Sequence, residues 1–211
     1  MKYLVAVFLA LAVGLCAPAQ AADPINVGDI ISFVRGPGTG SGGEFIVYKG
    51  GVPVYSTFCV QIAELLSLSP IDNPTRWLYK VGNISEQIVL AGSKPLDHKS
   101  AWLYTQFRAG TLPGYDGSDA AANALQNAIW HSEGLVALQP GNATMWYNMA
   151  VAAGWTDNGL VRVINLMYPD GYAHAQDVLV MVPIPEPLSM TLAGLGLGAV
   201  AGLRGRARRR T

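Results

Sequence analysis

EFIVYKGGVPVYSTFCV, residues 44–60, and SDAAANALQNAIWHSEG, residues 118–134, together decide the fold class. The first places β-branched and aromatic residues on both sides of Gly50-Gly51, a two-residue hairpin signal, and predicts strands over 44–49 and 52–60. Cys59 then lies near the end of the second strand. Alternation sends Val52, Val54, Phe58 and Val60 to one face and Tyr55, Thr57 and Cys59 to the other. The second stretch changes period. Ala121, Leu125, Ala128 and Ile129 recur at helical spacing, Ser118 or Asp119 can cap the start, and Gly134 can end the helix. Gln126 and Trp130 stack one turn apart on the shoulder of that stripe.

Working outward, β-branched residues predict a strand over 25–34, and residues 75–82 predict a short strand or turn. Helical composition extends over 97–108 and 144–153, and strands return over 160–167 and 177–182. Strands, a helical block and strands again imply an α+β domain, with sandwich-like or barrel-like strands around an inserted helical block, instead of alternating βαβ units.

The chain of 211 residues is 51% hydrophobic and only 13% charged, and its two ends supply much of the excess. Lys2, the apolar run Leu4 to Leu15 and the small residues Ala17 to Ala22 predict a signal peptide over 1–21, cleaved after Ala21 or Ala22. Lipidation at Cys16 is an alternative, disfavoured by the bulk of Leu15. Residues 22–182 form the working domain, with eight basic and thirteen acidic residues. That acidic balance excludes nucleic acid as a main partner, because phosphate binding draws on Lys and Arg.

The last segment, 183–211, reads Pro185-Glu186-Pro187, an apolar stretch from Leu188 to Leu203, and an arginine cluster ending in Arg208, Arg209 and Arg210. Those 16 apolar residues make about 24 Å of helix, short for a hydrocarbon core of about 30 Å. The arginines hold that end on the cytoplasmic side and the domain outside. This three-part ending resembles the PEP-CTERM sorting signal of Gram-negative envelope proteins. The resemblance implies an exosortase partner that recognises Pro185-Glu186-Pro187 and removes the helix. The protein would then pass from the inner membrane to the envelope, surface or extracellular matrix. The alternative is a permanent C-terminal anchor on a proline-rich stalk.

Within the domain, Gly38-Thr39-Gly40-Ser41-Gly42-Gly43 satisfies GxGxxG, but a strand follows it where a phosphate site needs a helix, so a flexible connector is expected. His98, His131 and His174 lack metal-ligand spacing, and neither a metal nor a cofactor is expected. With Cys16 removed, Cys59 is a lone thiol in an exported chain. Three readings compete for it: a buried core thiol, a hydrolase nucleophile paired with His131, or a covalent bond to a glutamine.

Phe58-Cys59-Val60 followed by Leu125-Gln126-Asn127-Ala128-Ile129-Trp130, with the aromatic run Ser100 to Tyr104 between them, resembles the thioester domains of bacterial surface adhesins. The resemblance covers about residues 45–135 and implies a bond from the Cys59 sulfur to the Gln126 side-chain carbonyl. It implies covalent attachment to a lysine or other amine on a partner, and so a binding protein instead of an enzyme. Trp130 would shield the bond and His131 or Glu133 would handle protons, with Phe58 completing the surroundings. The rivals are a non-covalent structural or matrix protein and a small cysteine hydrolase.

Overall fold

The computed structural model describes residues 23–39, 42–89 and 93–182. The expected signal peptide and the 183–211 sorting segment lie outside these residues.

The chain is α+β. Its elements are β1 (Ile30–Arg35), β2 (Phe45–Lys49), β3 (Val52–Thr57), β4 (Leu78–Ser85), β5 (Gln87–Ile88), β6 (Lys94–Pro95), α1 (His98–Arg108), α2 (Asp119–Ser132), α3 (Asn142–Ala153), β7 (Val161–Met167) and β8 (Val178–Met181). Six strands form one sheet in the order β3-β2-β1-β4-β7-β8, antiparallel throughout. The helical block sits in sequence between β6 and β7, so the strands on either side of it complete a single sheet.

The hairpin between β2 and β3 turns where Gly50 and Gly51 hold φ +61° and +80°, pairing Lys49 with Val52. Only glycine takes two consecutive positive φ values without steric cost, and the turn's twist matches that of the strands. Pro53 is tolerated because β3 is an edge strand of the ladder. The register slips between Val47 and Tyr48. Val54 consequently packs with the cluster that holds Tyr55 and Cys59, not with Phe58 and Val60.

The region expected to hold a short strand or turn at 75–82 contains an eight-residue central strand, β4, paired with both β1 and β7. Its alternation buries Tyr79 and Val81 but breaks at Gly82, where the register to β7 shifts. A Cβ on Gly82 would stand 2.7 Å from the Met167 sulfur, so any larger residue there would have to push the Met167 side chain aside. The first strand starts at Ile30, not at residue 25. Ahead of it, Asn26 and Asp29 form a turn in which Gly28 N–H donates to the Val81 carbonyl at 2.8 Å.

The sheet curls until its outer edges meet. Beyond β3 the chain stays extended, and the Leu179 N–H donates to the Phe58 carbonyl while the Val60 N–H donates to that of Asp177, each at 3.1 Å. Cys59 thereby bridges Val178 of β8. One core fills the curl with Phe33, Val47, Tyr79, Val81, Ile164 and Val180; the other joins the sheet's opposite face to the helices through Leu103, Leu125, Ile129, Trp146, Val163 and Leu179. β7 and β8 contribute alternate residues to both cores, which explains why β8 is apolar throughout and why β7 carries apolar residues on both faces between Arg162 and Asn165. The two ends of the domain are tied together: Asp23 N–H donates to the Met181 carbonyl at 2.9 Å, and its carboxylate takes both Arg108 guanidinium nitrogens at 2.7 and 2.8 Å.

Candidate functional site

Successive residues at the β3–β8 junction point to opposite cores. Phe58 enters the helix-side core, edge-on to Phe107 with ring centroids 5.0 Å apart. That anchor turns Cys59 the other way, where α2 presents Gln126. Ser118 caps α2 by accepting from the Ala121 N–H, and Leu125, Ala128 and Ile129 bury the helix's apolar side. Gln126 is only 1% exposed, and Cys59 is fully buried.

The structure brings these two side chains into contact. The Cys59 Sγ lies 3.3 Å from Gln126 Oε1, one bond from the carbonyl carbon. The main chain of Cys59 holds the same carboxamide at two points: its N–H donates to Oε1 at 3.3 Å, and its carbonyl accepts from Nε2 at 2.8 Å. The two main-chain bonds fix the orientation of the carboxamide, and the one N–H that faces its carbonyl oxygen is that of Cys59. Burial pushes the Cys59 thiol up to about 12, against the opposing pull of the Trp130 indole N–H and the Gln61 backbone. The indole Nε1 is itself buried and meets no acceptor in full hydrogen-bond geometry. It stands near enough to the sulfur to favour a thiolate, yet burial dominates and the thiol keeps its proton at neutral pH.

The other two sequence candidates bond elsewhere. His131, five residues beyond Gln126, is rotated about 140° around the helix. Its Nδ1 meets the Val136 carbonyl at 2.9 Å and its ring lies edge-on to Tyr147. Glu133 is buried at the end of α2, where Oε1 accepts from Ser100 Oγ at 2.6 Å and from the Asp97 N–H at 3.1 Å. Its other oxygen pairs with Lys94 Nζ at 2.6 Å. Glu133 braces the start of α1 against the end of α2, and neither residue bonds Cys59 or Gln126. The other histidines stand apart from the pair: His98 meets Asn158, and His174 bridges Met167. Among the described residues no three His, Cys, Asp or Glu side chains gather where a metal could bind.

Sequence reasoning missed the cover over this site. The glycine-rich segment, expected to be a flexible connector, is fastened to α2 on its described residues. Gly38 N–H donates to Asp119 Oδ1 at 2.7 Å and Thr39 N–H to Asn123 Oδ1 at 2.9 Å, while Asn123 Nδ2 returns a bond to Thr39 Oγ1 at 2.8 Å. Gly42 lies on the site itself: an added Cβ would stand 2.9 Å from the Trp130 ring and 3.0 Å from Gln126 Cγ. A usable signal was present, because Asp119, Asn123, Gln126 and Trp130 follow 4-3-4 spacing and form one stripe on α2. Beside the stripe opens a recess of about 370 Å³, walled by Thr39, Gly42, Asn123, Gln126, Asn127 and Trp130 among others.

Beneath Cys59 a buried polar knot fixes the strand segment. Gln61 accepts from Asp177 N–H through Oε1 at 3.0 Å and from Gln176 Nε2 through its carbonyl at 2.8 Å. Asp177 Oδ2 accepts from the Val89 N–H at 2.7 Å and from Asn165 Nδ2 at 2.8 Å, while Oδ1 has no partner. Burial raises the Asp177 carboxyl to about 7, with those hydrogen bonds opposing the shift.

No family model, curated protein or solved structure matches the chain.

Proposed function

We propose that this is an exported cell-envelope protein that attaches covalently to an amine-bearing partner through a thioester between Cys59 and Gln126. The observation that carries the reading is the buried contact of Cys59 Sγ with Gln126 Oε1 at 3.3 Å, within a carboxamide held by the same cysteine's main chain. In forming the bond, Sγ attacks the Gln126 side-chain carbonyl carbon. The S–C bond forms, the C–N bond breaks, and the thiol proton leaves on nitrogen as ammonia. No oxidant is needed. A partner amine then attacks the same carbon, forms an amide, and its proton returns to the departing sulfur as Cys59 thiol. Each molecule reacts once, so the protein is a binder and not an enzyme.

The ends of the chain supply the delivery part of this proposal. The signal peptide exports the domain, the 183–211 segment holds it at the inner membrane, and exosortase cleavage at Pro185-Glu186-Pro187 passes it to the envelope or matrix of a Gram-negative bacterium. A second reading, a non-covalent structural protein, is favoured by the fact that the pair is also hydrogen-bonded and buried. Intact mass distinguishes the two. Freshly purified protein is expected one ammonia lighter than its sequence, with no thiol on unfolding. Methylamine restores the thiol and leaves an adduct on Gln126, and Cys59→Ala and Gln126→Ala abolish the mass loss. A full mass with a free Cys59 thiol in fresh protein leaves only the structural reading.

A further inference from the structure

The recess beside Gln126 continues along α2. A second cavity of about 480 Å³ shares Asn123 and Gln139 with it and extends to Asp116, Ser118 and Asn142. The two form a groove that runs from the Gln126 and Trp130 side chains to the helix's first turn. Its lining is mostly small residues, carboxamides and hydroxyls, with the Trp130 indole at the inner end and the Asp116 carboxylate at the outer. Among the described residues no Lys, Arg or His lines it. Gln139, Asn142, Asp116 and Ser118 are exposed along its rim.

We propose that this groove is the acceptor site of the thioester and takes the weakly basic primary amine of a hydroxyl-rich chain, an amino-sugar glycan, in preference to a lysine side chain. The proposal rests on the thioester reading. Carboxamides and hydroxyls both donate and accept, and so match a chain of sugar hydroxyls; an indole face suits the apolar side of a sugar ring. An amine attacks only when neutral, and among the described residues no titratable side chain except the Cys59 thiol bonds Gln126, while His131 bonds the Val136 carbonyl on another side of α2. A lysine, with a pKa of about 10.4, is then mostly protonated near neutral pH and reacts slowly. An amine beside electronegative ring oxygens is far less basic, closer to the α-amino range of about 7.7–8.0, and is substantially neutral. Attack by that nitrogen forms the C–N bond and breaks C–S, and its proton passes to the Cys59 sulfur.

The full chain, purified in detergent, is incubated near neutral pH with four probes at equal concentration. These are methylamine, a glucosamine trimer, the fully N-acetylated trimer, and a tripeptide whose only amine is a lysine side chain. Adduct mass at Gln126 and released thiol are followed in time. The glucosamine trimer is expected to add at least about tenfold faster than the lysine peptide, the offset in basicity being partly cancelled by lower intrinsic nucleophilicity. The acetylated trimer is expected not to add. The trimer's rate should level off above pH of about 8, whereas the peptide's keeps rising towards about 10. Gln139→Ala and Asn142→Ala should lower the trimer rate relative to the methylamine rate by about fivefold, as expected when a hydrogen bond worth about 1 kcal/mol is lost. Equal or faster addition of the lysine peptide, or an unchanged ratio in both groove variants, overturns the proposal while leaving the thioester standing. Failure of methylamine to add, with Cys59 already free, removes the thioester and this proposal with it.

Discussion

Around Cys59 single atoms decide what chemistry is possible. Gly42 is the tightest example, because its missing Cβ leaves room for Gln126 Cγ and the Trp130 ring. Gly42→Ala is expected to cost about 1–3 kcal/mol through overpacking. It should also lower the fraction of molecules lacking one ammonia; an unchanged mass profile with unchanged denaturation would show that the cover can shift freely. Asp177 makes a separate prediction. Its folded-state value of about 7 lies above the ordinary carboxyl value of about 3.9, so between those pH values the folded protein keeps a proton that the unfolded chain releases. Stability from this group is therefore full below about 4 and falls as pH rises to about 7. Urea midpoints measured from pH of about 4 to 8 should show that fall, and Asp177→Asn should flatten it.

Among the elements, α2 carries most of the site on one stripe. Asp119 and Asn123 fasten the segment before β2, Gln126 meets the sulfur, and Trp130 closes the inner end. Asn123→Ala removes one acceptor and one donor to Thr39 without touching the sulfur or its partner. We expect it to cost about 1 kcal/mol of stability and to raise the rate at which water hydrolyses the thioester. Following thiol release over time in buffer without amine tests this, and a rate equal to wild type would mean that the glycine-rich cover does not exclude water. The hairpin and α2 were legible in sequence because each satisfies its period within a few turns and carries its own punctuation. β4 was legible only as a short strand or turn over 75–82, and its full length and central place were not, since Gly82 interrupts its alternation and its two partners lie far away in sequence.

For the molecule as a whole, closure comes from contacts distant in sequence. Arg108 joins the helical block to Asp23, which in turn holds β8 through the Met181 N–H at 2.8 Å. The side chains are only 18% and 3% exposed, so removing the guanidinium strands a buried carboxylate. Arg108→Ala is expected to destabilise by about 3 kcal/mol, read from equilibrium denaturation; a loss below about 1 kcal/mol would mean that water reaches Asp23. A Cys59–Gln126 bond would close a loop spanning 67 residues, about 4 kcal/mol by loop entropy, where the described residues hold no disulfide.

The sequence by itself determined the α+β class, the hairpin, the helical block and the candidate residues Cys59 and Gln126, because composition, periodicity and turn residues are local properties. It also carried the stripe from Asp119 to Trp130, though nothing in it said what that stripe would face. Only the tertiary structure decided that the curled sheet brings β8 to the end of β3, that Glu133 and His131 bond away from the sulfur, and that Gly42 of the expected connector lies against the Gln126 side chain. The reason is that those placements depend on pairing between segments separated by tens of residues, which no local period encodes.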